Sequence, residues 1–269
     1  MLYLLAALLL SFDAKDATDT ALVEALEEVD EDVRIDALQE IGRRGLVAHE
    51  ALLVEMARSD PMPKVRRAAM AALEEMAVEG TLDACQHMVT QDPDERNRSK
   101  CMVWMERKGP DGGSQAMAHA AANDPSPKLR RKAIIIIGKR GWLDGRDAVM
   151  AATNDPDEAI VLEAWKAIIR LGDLEQRAQA HDAMLDANQS IKLRRSILKA
   201  IGENPLPQDV APLIEALDDP DDEVAIQAAY ALEKVGDSAS APVLREKAAA
   251  RPDGKVKDKF NEAATALGG

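Results

Sequence analysis

One spacing limits what this chain can fold into more than any other property. A residue that follows an acidic turn returns every 31 to 33 positions, at Val33, Val65, Asn97, Leu129, Ile160, Leu193, Val224 and Val256, with Asn97 as the single polar member. Four residues on stand Ala37, Ala69, Cys101, Ala133, Ala164, Ile197, Ala228 and Phe260. Four beyond those stand Ile41, Leu73, Met105, Ile137, Ile168, Ile201, Leu232 and Ala264. Steps of four put the three columns on one helical face. The small middle column lets a neighbouring helix approach closely, and it explains why the chain carries 47 alanines but only 3% aromatic residues.

Upstream of each such helix runs a second amphipathic segment, for example residues 20–29, 50–58, 114–122 and 210–217. Asp-Pro separates the two at Asp60-Pro61, Asp92-Pro93, Asp124-Pro125, Asp155-Pro156 and Asp219-Pro220. Proline cannot continue the first helix, and acidic residues suit the positive N-terminus of the second. Gly42, Gly138, Gly172, Gly202 and Gly236 are expected to close their helices as left-handed caps. Each unit reads as helix, tight turn, helix, loop. A pair of about 32 residues cannot bury its apolar face alone, so pairs must stack. The spacing predicts an all-α chain, a right-handed α-α superhelical solenoid of about eight helix pairs over residues 19–269, preceded by an apolar segment over residues 1–18.

Asp-Pro-x-x-x-Val/Leu-Arg runs place Arg34, Arg66, Arg98, Arg130 and Arg194 directly after the anchor. Together with the Ala and Ile/Leu columns, these runs resemble HEAT repeats, in particular the short HEAT-like repeats of phycobilisome (bilin) lyases. The resemblance implies that turn Asp and helix Arg form a ladder along the stack. Val161, Ala225 and Lys257 depart from it by replacing the arginine. It also implies, as one functional class, an enzyme or enzyme subunit of the bilin-lyase type. Deoxyhypusine hydroxylases, which share the repeat, hold a di-iron site with several His-Glu dipeptides; this chain has one, His49-Glu50. The Trp/Gly/Tyr signature of tetratricopeptide repeats and the Thr-Pro-Leu-His of ankyrin are absent.

Motifs for chemistry are missing: no phosphate-binding loop, no Gly-x-Ser-x-Gly elbow, no His-Glu-x-x-His and no Cys-x-x-Cys. The sequence therefore assigns no catalytic residue, no metal ligand and no cofactor. His87 and His119 lie in register, each ten residues before its anchor, and are expected to be surface or packing histidines. Cys85 and Cys101 flank Pro93 symmetrically, which places them opposite each other in an antiparallel pair, as buried thiols or as a disulfide. The uncharged start, Met1 to Phe12, is expected to be a secretory signal or membrane anchor, or else a capping helix. Exported and cytoplasmic locations stand level on that reading.

Net charge is −14, which opposes a protein that coats nucleic acid with its whole surface. The distribution is uneven: residues 96–146 sum to +8, residues 1–32 to −8 and residues 209–223 to −7. Within the basic stretch, Met102 to Met105 align with Ile134 to Ile137, and such runs are too apolar for a one-sided helix. In HEAT stacks the second helices line the concave surface. The expected partner surface is therefore Lys100, Val103, Trp104, Arg107, Arg131, Lys132, Ile135, Ile136 and Lys139, extended by Trp165. The reading is a non-catalytic interaction scaffold that grips a protein or peptide segment carrying acidic and apolar residues. Nucleic-acid binding by the basic stretch is a further alternative, and a membrane enters only through the N-terminal segment.

Overall fold

The computed structural model describes residues 12–109 and 112–268. The proposed signal or capping helix lies, up to residue 11, outside them. The described residues form sixteen α-helices and no strand. They fall into two compact units with the boundary between Ala116 and Met117.

The first unit contains α1 (Asp19–Ala25), α2 (Glu31–Arg44), α3 (Glu50–Ser59), α4 (Pro63–Met76), α5 (Gly80–Gln91) and α6 (Glu95–Lys108); α7 (Gly113–Asn123) carries the boundary. The second unit continues with α8 (Pro127–Arg140), α9 (Arg146–Ala151), α10 (Glu158–Leu171), α11 (Leu174–Leu185), α12 (Ile191–Glu203), α13 (Val210–Ala216), α14 (Asp222–Val235), α15 (Ser240–Ala249) and α16 (Lys255–Ala266). Within each unit second helices pack on their own first helix and on the second helix of a neighbouring pair, as α4 does on α3 and α2, and α10 on α9 and α8. The anchor, alanine and Ile/Leu columns are almost all buried at these contacts.

Aspartate of the Asp-Pro turn does two jobs. One carboxylate oxygen accepts the backbone N–H two residues on, as Asp60 does from Met62 at 2.8 Å, Asp92 from Asp94 at 2.8 Å and Asp155 from Asp157 at 2.9 Å. That bond makes the tight turn out of the first helix. The carboxylate also receives the arginine of the preceding pair: Arg34 bonds Asp60, Arg66 bonds Asp92 at 2.7 and 2.8 Å, Arg130 bonds Asp155 at 3.0 and 3.2 Å, and Arg194 bonds Asp219. Three of these arginines also donate to carbonyls of their own turn, Arg34 to Glu28 and Val29, Arg66 to Asp60, and Arg130 to Asp124. The ladder is thus a chain of rungs, each joining one turn to the next.

Where the arginine is missing, the aspartate finds other donors. Val161 leaves Asp186 to the backbone and side chain of Asn188, both at 2.9 Å, and to Gln189. Ala225 is offset from the far side, because Arg251 reaches back from the following loop to the Leu217 carbonyl at 2.8 Å and stacks over the Phe260 ring. Asn97 breaks the apolar anchor without leaving a buried orphan. It accepts from Arg67 at 2.8 Å and donates to the Pro63 carbonyl at 3.0 Å and to Asp92 at 3.1 Å, which staples α6 to α4.

The glycines correct one expectation. Gly172 and Gly236 do end α10 and α14 in the left-handed conformation, at φ 72° and 78°. Gly42, Gly138 and Gly202 instead lie inside helices, and the caps of α2 and α8 are Gly45 and Gly141 three residues later. Gly42 and Gly138 are needed for close approach: a Cβ there would sit 2.8 Å from the Ala72 Cα or 2.9 Å from the Ala167 Cβ. The second helices touch backbone to backbone at these points.

Candidate partner-binding surface

In the first unit the surface is built on α6. Asp94 starts the helix by accepting the Asn97 N–H at 2.9 Å, and Met102 and Met105 turn fully into the core. Spacings of three and four then put Lys100, Val103 and Arg107 on the opposite face. Val103 is 38% exposed, Trp104 half-buried, and the Arg107 side chain is 67% exposed with Glu74 at 4.0 Å.

In the second unit the same pattern recurs on α8. This helix carries Lys128, Arg130, Arg131, Lys132, Lys139 and Arg140 and no acidic residue. Arg130 is spent on the ladder. Arg131 faces Glu163 of α10 at 3.6 Å, a carboxylate that also takes Lys166 at 3.3 Å. Ile135 is half-buried, with Lys132 three residues before it and exposed Lys139 four after it, all on one face.

Burial narrows the expected set. Ile136 is 1% exposed and Trp165 9%, so both belong to the core and present little surface to a partner. Trp165 shares its repeat position with Leu38, Met70, Met102, Ile134 and Leu198, all buried. In the four-residue run of α8, Ile134, Ile136 and Ile137 are buried and Ile135 alone reaches the surface. In the second unit α10 packs against α8 on one side and α12 on the other, which consumes the extra apolar positions of the helix that carries Trp165.

Elsewhere, His87 is half-buried in the first unit and His119 exposed in the second. Among the described residues no group of three or more His, Cys, Asp and Glu side chains is placed to hold a metal ion. Cys85 and Cys101 are free thiols, both buried, and they donate to the thioether sulfurs of Met70 and Met88, each at 3.6 Å. Burial pushes the Cys85 thiol far above its ordinary range.

The structure also contains a polar cluster that the repeat pattern did not announce. Arg177 of α11 is 1% exposed. It donates to both oxygens of fully buried Asp209, at 2.7 and 2.6 Å, and to the carbonyls of Ile169 at 2.8 Å and Asn204 at 2.7 Å. His181 Nε2 lies 2.8 Å from the same carboxylate, and the Leu206 N–H donates to it at 2.7 Å. Burial alone would raise the Asp209 pKa, but the hydrogen bonds from Arg177, His181 and Leu206 outweigh it and hold the group at about 2. The available signal was Arg177 and His181 at i and i+4 on the apolar face of a first helix. At the other end, Glu40 is held at about 2 by Arg43 and Arg44, and Arg44 binds the carbonyls of Ala14, Lys15 and Ala17, tying down the segment before α1.

Stacked helix pairs, an Asp–Arg ladder and a small-residue contact column define an α-helical repeat protein. The chain belongs to the HEAT-repeat family, whose profile matches residues 20–102, 115–190 and 178–265. The Escherichia coli protein YibA is similar at 18% identity, over 94% of this chain and 93% of that one, with a TM-score of 0.50. Human deoxyhypusine hydroxylase, solved with glycerol, is similar at 16% identity over 81% and 84%, TM-score 0.41. The CpcE–CpcF complex of phycocyanin lyase from Nostoc is similar at 14% over 96% and 98%, TM-score 0.40. No curated protein matches the sequence. At these identities the likenesses concern the fold alone.

Proposed function

We propose that this chain is a non-catalytic interaction scaffold that captures protein segments bearing acidic and apolar side chains, on the exposed face of α6 in the first unit and on that of α8 in the second. The observation that carries the reading is the repeated order cation, aliphatic, cation along one helix face: Lys100, Val103, Arg107 on α6 and Lys132, Ile135, Lys139 on α8. An acidic residue fits the cations, and an aliphatic or aromatic one covers the Val103, Trp104 and Ile135 side chains. Steering by the cations accelerates encounter, while desolvation of the apolar residues holds the complex. α8 carries no anion, so the face that holds Lys132 and Lys139 favours an acidic partner.

The test is calorimetric titration with a synthetic peptide alternating Glu and Leu. The triple variant Lys100→Glu, Lys132→Glu and Lys139→Glu should weaken binding at least tenfold with the far-UV spectrum unchanged. Equal affinity of the triple variant and the wild type would overturn the proposal.

A further inference from the structure

Sulfur is concentrated in one place. Of the thirteen Met and Cys residues, seven lie within the 36 positions 70–105, and six of these, Met70, Cys85, Met88, Cys101, Met102 and Met105, are fully buried in the first unit. Two sulfur–sulfur contacts join three helices. The Cys85 Sγ lies 3.6 Å from the Met70 Sδ of α4, and the Cys101 Sγ of α6 lies 3.6 Å from the Met88 Sδ of α5; Cys85 and Met88 stand three residues apart on α5, so both contacts fall on one face of that helix.

We propose that Met70, Cys85, Met88 and Cys101 form a binding site for a single Cu(I) ion. Two thiols with two thioethers make an all-sulfur donor set, which selects a soft monovalent metal; Zn(II) takes thiolate, imidazole and carboxylate but not thioether. Metal–sulfur bonds of ~2.3 Å around a tetrahedral ion set neighbouring sulfurs about 3.8 Å apart, close to the two separations seen. The charge also fits an apolar core. Cu(I) bound with loss of one thiol proton leaves a neutral cluster: one S–H bond breaks, one S–Cu bond forms and the proton leaves to solvent, with no change of oxidation state. The repeat itself marks Cys101 as a departure, since five other pairs hold alanine there, Ala37, Ala69, Ala133, Ala164 and Ala228. Entry requires local opening of α5 from α6, so the ion is taken up during folding or through that fluctuation.

The experiment offers Cu(I) to the full-length chain anaerobically, with a thiol-free reductant, against a chromophoric Cu(I) chelator. The metal is added both to folded protein and during refolding from urea. The expected result is withdrawal of one equivalent from the chelator, with new near-ultraviolet sulfur-to-copper absorption. Cys101→Ala, which restores the alanine of the other repeats and so keeps the fold, should weaken capture at least a hundredfold. Met88→Leu, similar in volume, should weaken it about tenfold. The proposal is overturned if the wild type leaves all copper with the chelator in both protocols. It is equally overturned if Cys101→Ala captures as well as wild type, which would place the ion elsewhere, or if Zn(II) competes on equal terms.

Discussion

Removing the buried guanidinium of Arg177 tests the energetics of this fold most directly. Arg177→Met keeps the length and apolar stem of the side chain but strips four hydrogen bonds from Asp209, Ile169 and Asn204. Breaking a buried ion pair from one side typically costs about 3–5 kcal/mol, because the abandoned charge stays desolvated. His181 and the Leu206 N–H still serve Asp209, which argues for the lower half of that range, while the orphaned carbonyls of Ile169 and Asn204 push upward. Arg177→Met/Asp209→Leu removes both charges but leaves the same carbonyls and the Leu206 N–H without partners. Its cost should match either single change, a coupling of about 3 kcal/mol. A second signature comes from acid. Asp209 titrates at about 2 in the fold against an ordinary 3.8, so its contribution, about 2 kcal/mol by linkage, is complete above roughly pH 4 and is lost as pH falls through 2. Without Arg177 the folded pKa rises, and the loss should move to higher pH. Urea unfolding followed by far-UV dichroism measures the cost. Hydrogen exchange of the α11 and α13 amides locates it, which matters because repeat arrays need not unfold in one step. A destabilisation below about 1 kcal/mol, or strict additivity in the double variant, would refute the reasoning.

Other substitutions separate buried from exposed contributions. Arg66→Met deletes a ladder rung whose partners are 6% and 1% exposed and should cost about 3 kcal/mol in urea unfolding; Arg58→Ala, in an exposed pair with Asp83, should change stability by less than about 1 kcal/mol. Gly138→Ala drives a methyl into Ala167 and should destabilise by about 1–3 kcal/mol, whereas Gly202→Ala, whose nearest neighbour is 3.5 Å away, should stabilise by about 0.5–1 kcal/mol. Thermal midpoints of the two glycine variants should therefore move in opposite directions. Asn97→Leu restores the apolar anchor but removes the acceptor of Arg67 and the donor to the Pro63 carbonyl and Asp92, so it should be destabilising by about 1–3 kcal/mol despite its greater hydrophobicity.

What could be read from the sequence was whatever recurs. The anchor, alanine and Ile/Leu columns, the Asp-Pro turns and the arginine ladder each appear in several repeats, and each is a packing requirement with one spacing. What could not be read was whatever occurs once. Arg177, Asp209 and His181 come from two pairs and meet through a loop, and no periodicity joins positions 177 and 209. The surface was legible only in part, for a related reason. Four consecutive apolar residues show that a helix is enclosed on more than one side, but they do not say which member escapes. Ile135 and Val103 share one repeat position that keeps some exposure in each unit, while Ile136 and Trp165 are buried. Glycine misled in a similar way: Gly42 and Gly138 stand near helix ends, yet the contact with Ala72 and Ala167, not the backbone angle, demands them.

The break in the ladder at Val161 has a mechanical meaning. Arg130 ties its turn to Asp155, and Arg194 ties its own to Asp219, but between them Asp186 is bonded only within its own loop. A chain pulled from its ends loads these ties in series, so it should yield first where the buried Asp–Arg rung is missing and the charged ties between α10 and α12 are the more exposed pairs Arg170–Glu203 and Lys192–Glu158. Stretched in an optical trap, the second unit should part between α10 and α12, giving a pause at a fixed extension before the stretches on either side unravel. The residue at position 161 would thus set the place at which tension divides the array, and Val161→Arg, by giving Asp186 a cation to hold, should shift the first rupture elsewhere.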